Sequence, residues 1–276
     1  MSGTPLLSIV SVVVYGEPGV GKTSLLQRLT ARNQCDAADD EPFYVTIDEP
    51  TADAAIGEQI RRVYANADAG GSEELVRSVQ RLIMRRRVAQ YKEFLDDKLA
   101  AAMQSARLAN RTALVVLCDG HTLTDSYLYV RSRIETGQLR DSAFLQHQNE
   151  QADVLCDVPS ALRAPDAFVR LAMADRSGGT HHYRVCECRR SAAERDVPAR
   201  EFARLARHAD FAEQAMAQRF DVASTRIETD RCTPEAVVDS VRRFARRVVA
   251  QRAPTRSHTG LVVREAQARA LDVGAQ

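Results

Sequence analysis

The sequence predicts an α/β fold, a parallel sheet of about five strands flanked by helices. Three observations carry this. Short β-branched runs recur along the chain, apolar on both faces, as strands buried between two helical layers must be. Segments with apolar residues at helical spacing separate them. The first run leads through a glycine-rich turn straight into a helix, the start of a βαβ unit.

Residues 8–15 (Ser-Ile-Val-Ser-Val-Val-Val-Tyr) form the first expected strand, and the helix after the turn runs from Lys22 to Arg32. Residues 34–42 are acidic and read as a loop. Residues 43–47 (Phe-Tyr-Val-Thr-Ile) make a short strand that enters Asp48-Glu49-Pro50. Pro50 blocks continuation and leaves Glu49 at the strand's carboxyl end. Helical pattern covers 53–66, breaks at Gly70-Gly71-Ser72 and resumes from Glu73 to about Asn110, a stretch long enough to expect a kink or a split. Residues 113–118 form a fully apolar strand that ends at Asp119-Gly120-His121. Helices over 122–136 and 139–156 and a strand over 167–173 follow. A polar segment (175–185) precedes Arg189, Arg190, Glu194 and Arg195. The chain closes with a helix over 199–218, a strand over 222–228 and a helix from Pro234 to about 250. No repeat occurs. The composition breaks only near 252, so 1–251 is read as one domain and 252–276 as a flexible tail.

The 276 residues are enough to bury a sizeable core. Lys and Arg total 38 against 37 Asp and Glu, a net charge of +1, which gives no electrostatic case for nucleic acid or an anionic membrane as partner. A 45% hydrophobic content argues against wholesale disorder. Six cysteines do not make a disulfide framework and read as free thiols. The apolar run Leu6–Val14 has no basic flank and no small-residue cleavage site, and no other stretch is long enough to span a bilayer. The expected location is the cytoplasm, or the host cytoplasm for a viral chain.

Gly16-Glu17-Pro18-Gly19-Val20-Gly21-Lys22-Thr23 matches G-x-x-x-x-G-K-[ST], the P-loop, with Ser24 next in the helix. Glycines let backbone N–H groups curl around phosphates, and the following helix presents its positive end. These residues are the predicted nucleotide-phosphate site, and the motif alone does not separate kinase, GTPase and ATPase. Lys22 reaches the outer phosphates and the Thr23 hydroxyl ligates Mg²⁺. In open α/β sheets ligand groups sit beyond the strands' carboxyl ends, so Glu49 and Asp119 should border the same cleft. One carboxylate near Mg²⁺ and another able to take a hydroxyl proton suit phosphoryl transfer. Glu49 also reads as a turn acid and Asp119 as a helix cap. No GTPase base-recognition signature occurs. His181, His182, Cys186 and Cys188 could suggest zinc, but they fall where a lid would lie, and a metal site is not favoured.

These motifs together resemble the deoxynucleoside kinase family, including the herpesvirus-type thymidine kinases, from about residue 10 to 245. The resemblance implies a P-loop kinase fold with an arginine-containing lid. It implies transfer of the ATP γ-phosphoryl to the 5′-hydroxyl of a deoxynucleoside for nucleotide salvage, with ATP and Mg²⁺ required and a homodimeric state. Glu49 matches the family's Glu-Pro base, and Thr23 with Asp119 would hold the metal. Arg189 and Arg190 match lid arginines that clamp the transferring phosphoryl, and Glu194 the acid on the sugar 3′-hydroxyl. Tyr64, Gln80 and Tyr129 match the sugar-side tyrosine, the base-reading glutamine and the stacking aromatic. Arg87 and Asp125 match the pair of deoxycytidine- and deoxyguanosine-type kinases, which leans the substrate that way. Arg133 leans toward thymidine instead. The departure is Gly120, where the family has Arg. Arg189 and Arg190 are the candidates to compensate for the missing Arg, and restoring Arg at 120 is expected to raise activity. Two rivals stay open: a thymidylate-type nucleoside monophosphate kinase, and a catalytically impaired P-loop nucleotide-binding protein.

Overall fold

The central sheet is five-stranded and parallel, in the order β2-β3-β1-β4-β5. A computed structural model describes residues 7–34, 41–65, 72–156, 158, 160–175 and 199–252. The strands are β1 (Ser8–Tyr15), β2 (Phe43–Ile47), β3 (Ala113–Asp119), β4 (Ala167–Ala172) and β5 (Ala223–Glu228). Helices α1 (Lys22–Ala31), α2 (Ala54–Ala65), α3 (Glu73–Glu93), α4 (Leu99–Leu108), α5 (Thr122–Asp125), α6 (Arg131–Glu135), α7 (Ser142–Leu155), α8 (Ser160–Arg163), α9 (Ala199–Arg219) and α10 (Pro234–Arg252) connect and flank them.

Alternation along the strands explains the two layers. In β1, Val10, Val12 and Val14 pack with Leu25, Leu26 and Leu29 of α1 and Val241 and Phe244 of α10. Val13 and Tyr15 face the opposite layer with Tyr91 of α3, Met103 of α4 and Ala209 and Ala212 of α9. All seven residues of β3 are buried, which is why its sequence shows no polar face. A satellite cluster from Ile56, Val63, Val76, Val79, Ile83 and Leu139 joins α2 and α3 to the segment before α7.

The long helical stretch is split as expected, by a π-helical turn (Phe94–Lys98) between α3 and α4. Phe94 and Leu99 stay buried on either side while Asp96, Asp97 and Lys98 face solvent, so the extra residue is taken up without losing the apolar face. A second π-helical turn, Ser126–Val130, interrupts the helix expected over 122–136. Ser72 starts α3, its hydroxyl accepting from the Leu75 N–H at 3.4 Å. Asn110, in the left-handed region at φ 53°, follows the end of α4.

Some bounds differ from expectation. Helix α7 begins at Ser142, not at 139, because Leu139 is buried in the satellite cluster after the turn at Gly137. The four-residue α8 is too short to show a period in the sequence, though Leu162 within it is buried. Arg189, Arg190, Glu194, the His181/His182/Cys186/Cys188 group and the tail beyond 252 lie outside the described residues. Among the described residues no helix is long and apolar enough to cross a membrane.

Candidate active site

The first three strands in the order β2-β3-β1 end side by side. Register fixes the ends: Val14 lies opposite Asp119, and Ile47 opposite Cys118. Gly120 extends the β1–β3 ladder by donating its N–H to the Val14 carbonyl at 2.8 Å. Glu49, Asp119 and the turn that leaves β1 therefore share one corner, at the carboxyl ends where α/β sheets hold ligands.

The turn has the build of a phosphate cradle. Gly16, Gly19 and Gly21 have φ of 149°, 84° and 93°. A Cβ on Gly16 would sit 2.2 Å from the Leu171 carbonyl oxygen, whereas one on Gly21 would meet nothing within 4 Å. The loop is thus pressed against β4 at its start and open at the mouth of α1. Lys22 is buried, its Nζ donating to the Gly16 carbonyl at 3.0 Å and the Glu17 carbonyl at 3.4 Å. Val20 is anchored in the core, and Glu17 is buried with Oε1 accepting from the Met173 N–H at 3.4 Å. Pro18 and Gly19 are half-buried, and Ser24 is exposed on the first turn of α1 beside Thr23. Hydroxyls beside an open glycine mouth fit a hydrated Mg²⁺ and a polyphosphate.

Glu49 is half-buried in extended backbone (φ −69°, ψ 135°) ahead of a short 3₁₀ turn at Pro50–Ala52, and its carboxylate makes no capping bond there. Asp119 is buried at the end of β3. Arg87, 1% exposed on α3, reaches this corner. Its Nη1 donates to the Asp119 main-chain carbonyl at 2.6 Å, and Nε and Nη2 lie 3.0 Å from Asp125 Oδ2. Burial alone would lower the Arg87 pKa, but Asp125, then Tyr91, Glu49 and Asp119, outweigh it and raise the value, so the guanidinium stays charged. Burial raises the Asp125 pKa, Arg87 opposes that, and Glu49 raises it further.

The expected Arg87–Asp125 pair is thus present as a buried ion pair. The expectation that arginine at 120 would raise activity meets an obstacle. Gly120 is left-handed at φ 78°, and a Cβ there would lie 2.8 Å from Arg87 Nη2. The space for a side chain is already filled.

His121 follows as the cap of α5. Its Nδ1 accepts from the Leu123 N–H at 3.2 Å, and Nε2 lies 3.3 Å from the Leu162 carbonyl. Burial, helped by Arg87, lowers its pKa from 6.5 to about 4. The folded chain keeps this ring neutral where the unfolded chain protonates it, so the stability it contributes falls as pH drops from 6.5 toward 4. The loss is about 3 kcal/mol over that window. In His121→Asn, which keeps a capping side chain, denaturation midpoints at pH 4.5 and 7 should differ less than in the wild type. An identical pH dependence would contradict this.

Other candidates are placed less directly. Gln80 is buried and lines a cavity of about 20 Å³ with Arg77, Val130, Leu139 and His147, room for one water. Tyr129 is half-buried in the second π-helical turn and packs against the core cluster that contains Tyr91. Tyr64 lies on α2, with its side chain outside what is described. Arg133 is committed elsewhere: it lies 3.0 Å from Glu201 and donates to Gln138 at 2.9 Å, joining α6 to α9. Sequence reasoning missed the contact of Arg87 with the Asp119 backbone. The absence of a side chain at 120 was the available signal.

A family model described as an AAA domain matches residues 10–131, from β1 to the start of α6. No curated protein matches the chain by sequence. Among solved structures it is similar to deoxyadenosine kinase from M. mycoides. The form with bound dATP has a TM-score of 0.61 at 11% identity, over 86% of this chain and 99% of that one. The forms with the products dCMP and a flexible dCDP, and with dCTP, each have a TM-score of 0.59 at 12% identity, over 86% of this chain and 98% of theirs. The chain therefore has the fold of deoxyadenosine kinase, built on a parallel P-loop sheet.

Proposed function

We propose that this chain is an ATP-dependent kinase of deoxynucleosides. The observation that carries the reading is the convergence of the P-loop, Glu49 and Asp119 on adjacent strand ends. Backbone N–H groups of Gly19 to Lys22 and the positive end of α1 hold the ATP phosphates. Lys22 turns from its loop carbonyls toward the outer phosphates. Mg²⁺, held by Thr23 with Asp119 directly or through water, would offset their charge. Glu49 takes the proton of the deoxynucleoside 5′-hydroxyl as that oxygen bonds to the γ-phosphorus and the bond to the ADP oxygen breaks. Arg189 and Arg190 neutralise charge on the transferring phosphoryl, and Glu194 and Tyr64 hold the sugar. Arg87 with Asp125 favours a base with an exocyclic amine, as in deoxycytidine or the purine deoxynucleosides, with Gln80 and Tyr129 at the base. A homodimer and a cytoplasmic role in nucleotide salvage belong to the same reading.

The test is transfer of label from γ-labelled ATP with Mg²⁺ to each of the four deoxynucleosides and to dTMP. Label in a deoxynucleoside monophosphate, strongest with an amine-bearing base, is expected. Label in dTDP alone would establish the monophosphate kinase instead. ATP binding with no labelled acceptor would favour a non-catalytic P-loop protein.

A further inference from the structure

We propose that Arg87 is a positioning residue for the β3 corner of the cleft, and that residue 120 is glycine because a side chain there would displace it. The inference rests on the phosphotransfer reading above. Arg87 comes from α3 yet spends its donors on two other elements, the Asp119 carbonyl at the end of β3 and the Asp125 carboxylate at the end of α5. The end of β3 is held from the other side by the Gly120 N–H on the Val14 carbonyl. The guanidinium therefore sets where the Asp119 backbone stops, and with it the side chain placed between β1 and Glu49. Its charge also stands among Asp125, Glu49 and Asp119, whose crowding it offsets.

Gly120 makes this possible. The Cβ of any other residue would lie 2.8 Å from Nη2 and 3.4 Å from Cζ of Arg87. The guanidinium is buried and bonded on its other edges, so it has no cheap retreat. Glycine at 120 and arginine at 87 are one arrangement, in which the cleft's fixed cation arrives from α3.

The test is a double-mutant cycle of Gly120→Ala and Arg87→Met, read in folding and in turnover. Alanine at φ 78° is strained in either background, so that cost cancels and the cycle isolates the collision. Gly120→Ala should lower kcat by about 30-fold in the otherwise wild-type chain and by about threefold or less in the Arg87→Met background. Arg87→Met should lower kcat while leaving the Kd for ATP within about twofold, and Arg87→Lys should recover part of it. Equal losses from Gly120→Ala in both backgrounds would overturn the proposal. A change confined to the deoxynucleoside KM would also overturn it, leaving Arg87 only the base-specificity role proposed above. Coupling in denaturation midpoints without coupling in kcat would reduce the pair to a structural one. A wild-type chain that phosphorylates no acceptor would defeat the kinase reading and, with it, the positioning role. The folding cycle would still decide whether Gly120 exists to admit Arg87.

Discussion

Glu49→Gln is expected to lower the single-turnover rate of phosphoryl transfer by about 10²- to 10⁴-fold, the range for loss of a positioned general base. The backbone at Glu49 is extended, and the turn that follows is set by Pro50 and not by the carboxylate. The side chain is half-buried and makes no capping bond, so glutamine keeps the shape and leaves folding unchanged. Glutamine cannot accept the hydroxyl proton. ATP should bind as before, because the P-loop belongs to β1 and α1. Rapid-quench turnover beside an ATP titration separates the two. A loss under about tenfold with intact ATP binding would remove Glu49 from the base role.

Gly16→Ala is expected to be far more damaging to folding than Gly21→Ala. Its Cβ would sit 2.2 Å from the Leu171 carbonyl oxygen, a backbone atom of the buried strand β4 that cannot swing aside. The φ of 149° adds strain for any L side chain. Overpacking and strain together cost about 3–5 kcal/mol, a large share of a domain's stability. Gly21→Ala is the matched control. Its φ is 93°, but its Cβ would meet nothing within 4 Å, so only the strain of about 1–2 kcal/mol applies. Both variants should weaken ATP binding, yet only Gly16→Ala should shift the denaturation midpoint strongly. Similar midpoints would mean the loop is not braced on β4.

The parts of this architecture legible in the sequence are those written by local chemistry. β1 and β3 announce themselves because burial on both faces demands mostly apolar residues, the buried Ser11 of β1 being satisfied by Asp166. The P-loop shows because its backbone needs glycine where it has positive φ. Glu49 shows because Pro50 halts the strand. What the sequence hides depends on contacts between distant segments. Arg87 sits among Arg85 and Arg86 and looks like a basic helix face until α3 is laid across the end of β3. Arg133 looks free to meet substrate, but α9 brings Glu201 to it and the pair is buried. The π-helical turns carry no sequence mark of their own, since each preserves the apolar face around it.

The central claim is that the P-loop and Glu49 act on one acceptor hydroxyl, and ³¹P NMR of the reaction product tests it most directly. The chain is incubated with ATP, Mg²⁺ and deoxycytidine or deoxyadenosine, and the new phosphorus resonance is recorded without proton decoupling. A triplet, from the two protons on the sugar 5′-carbon, is the predicted result. A doublet would place the phosphate on the 3′-oxygen, and inorganic phosphate alone would mean hydrolysis without transfer. Either would contradict the account.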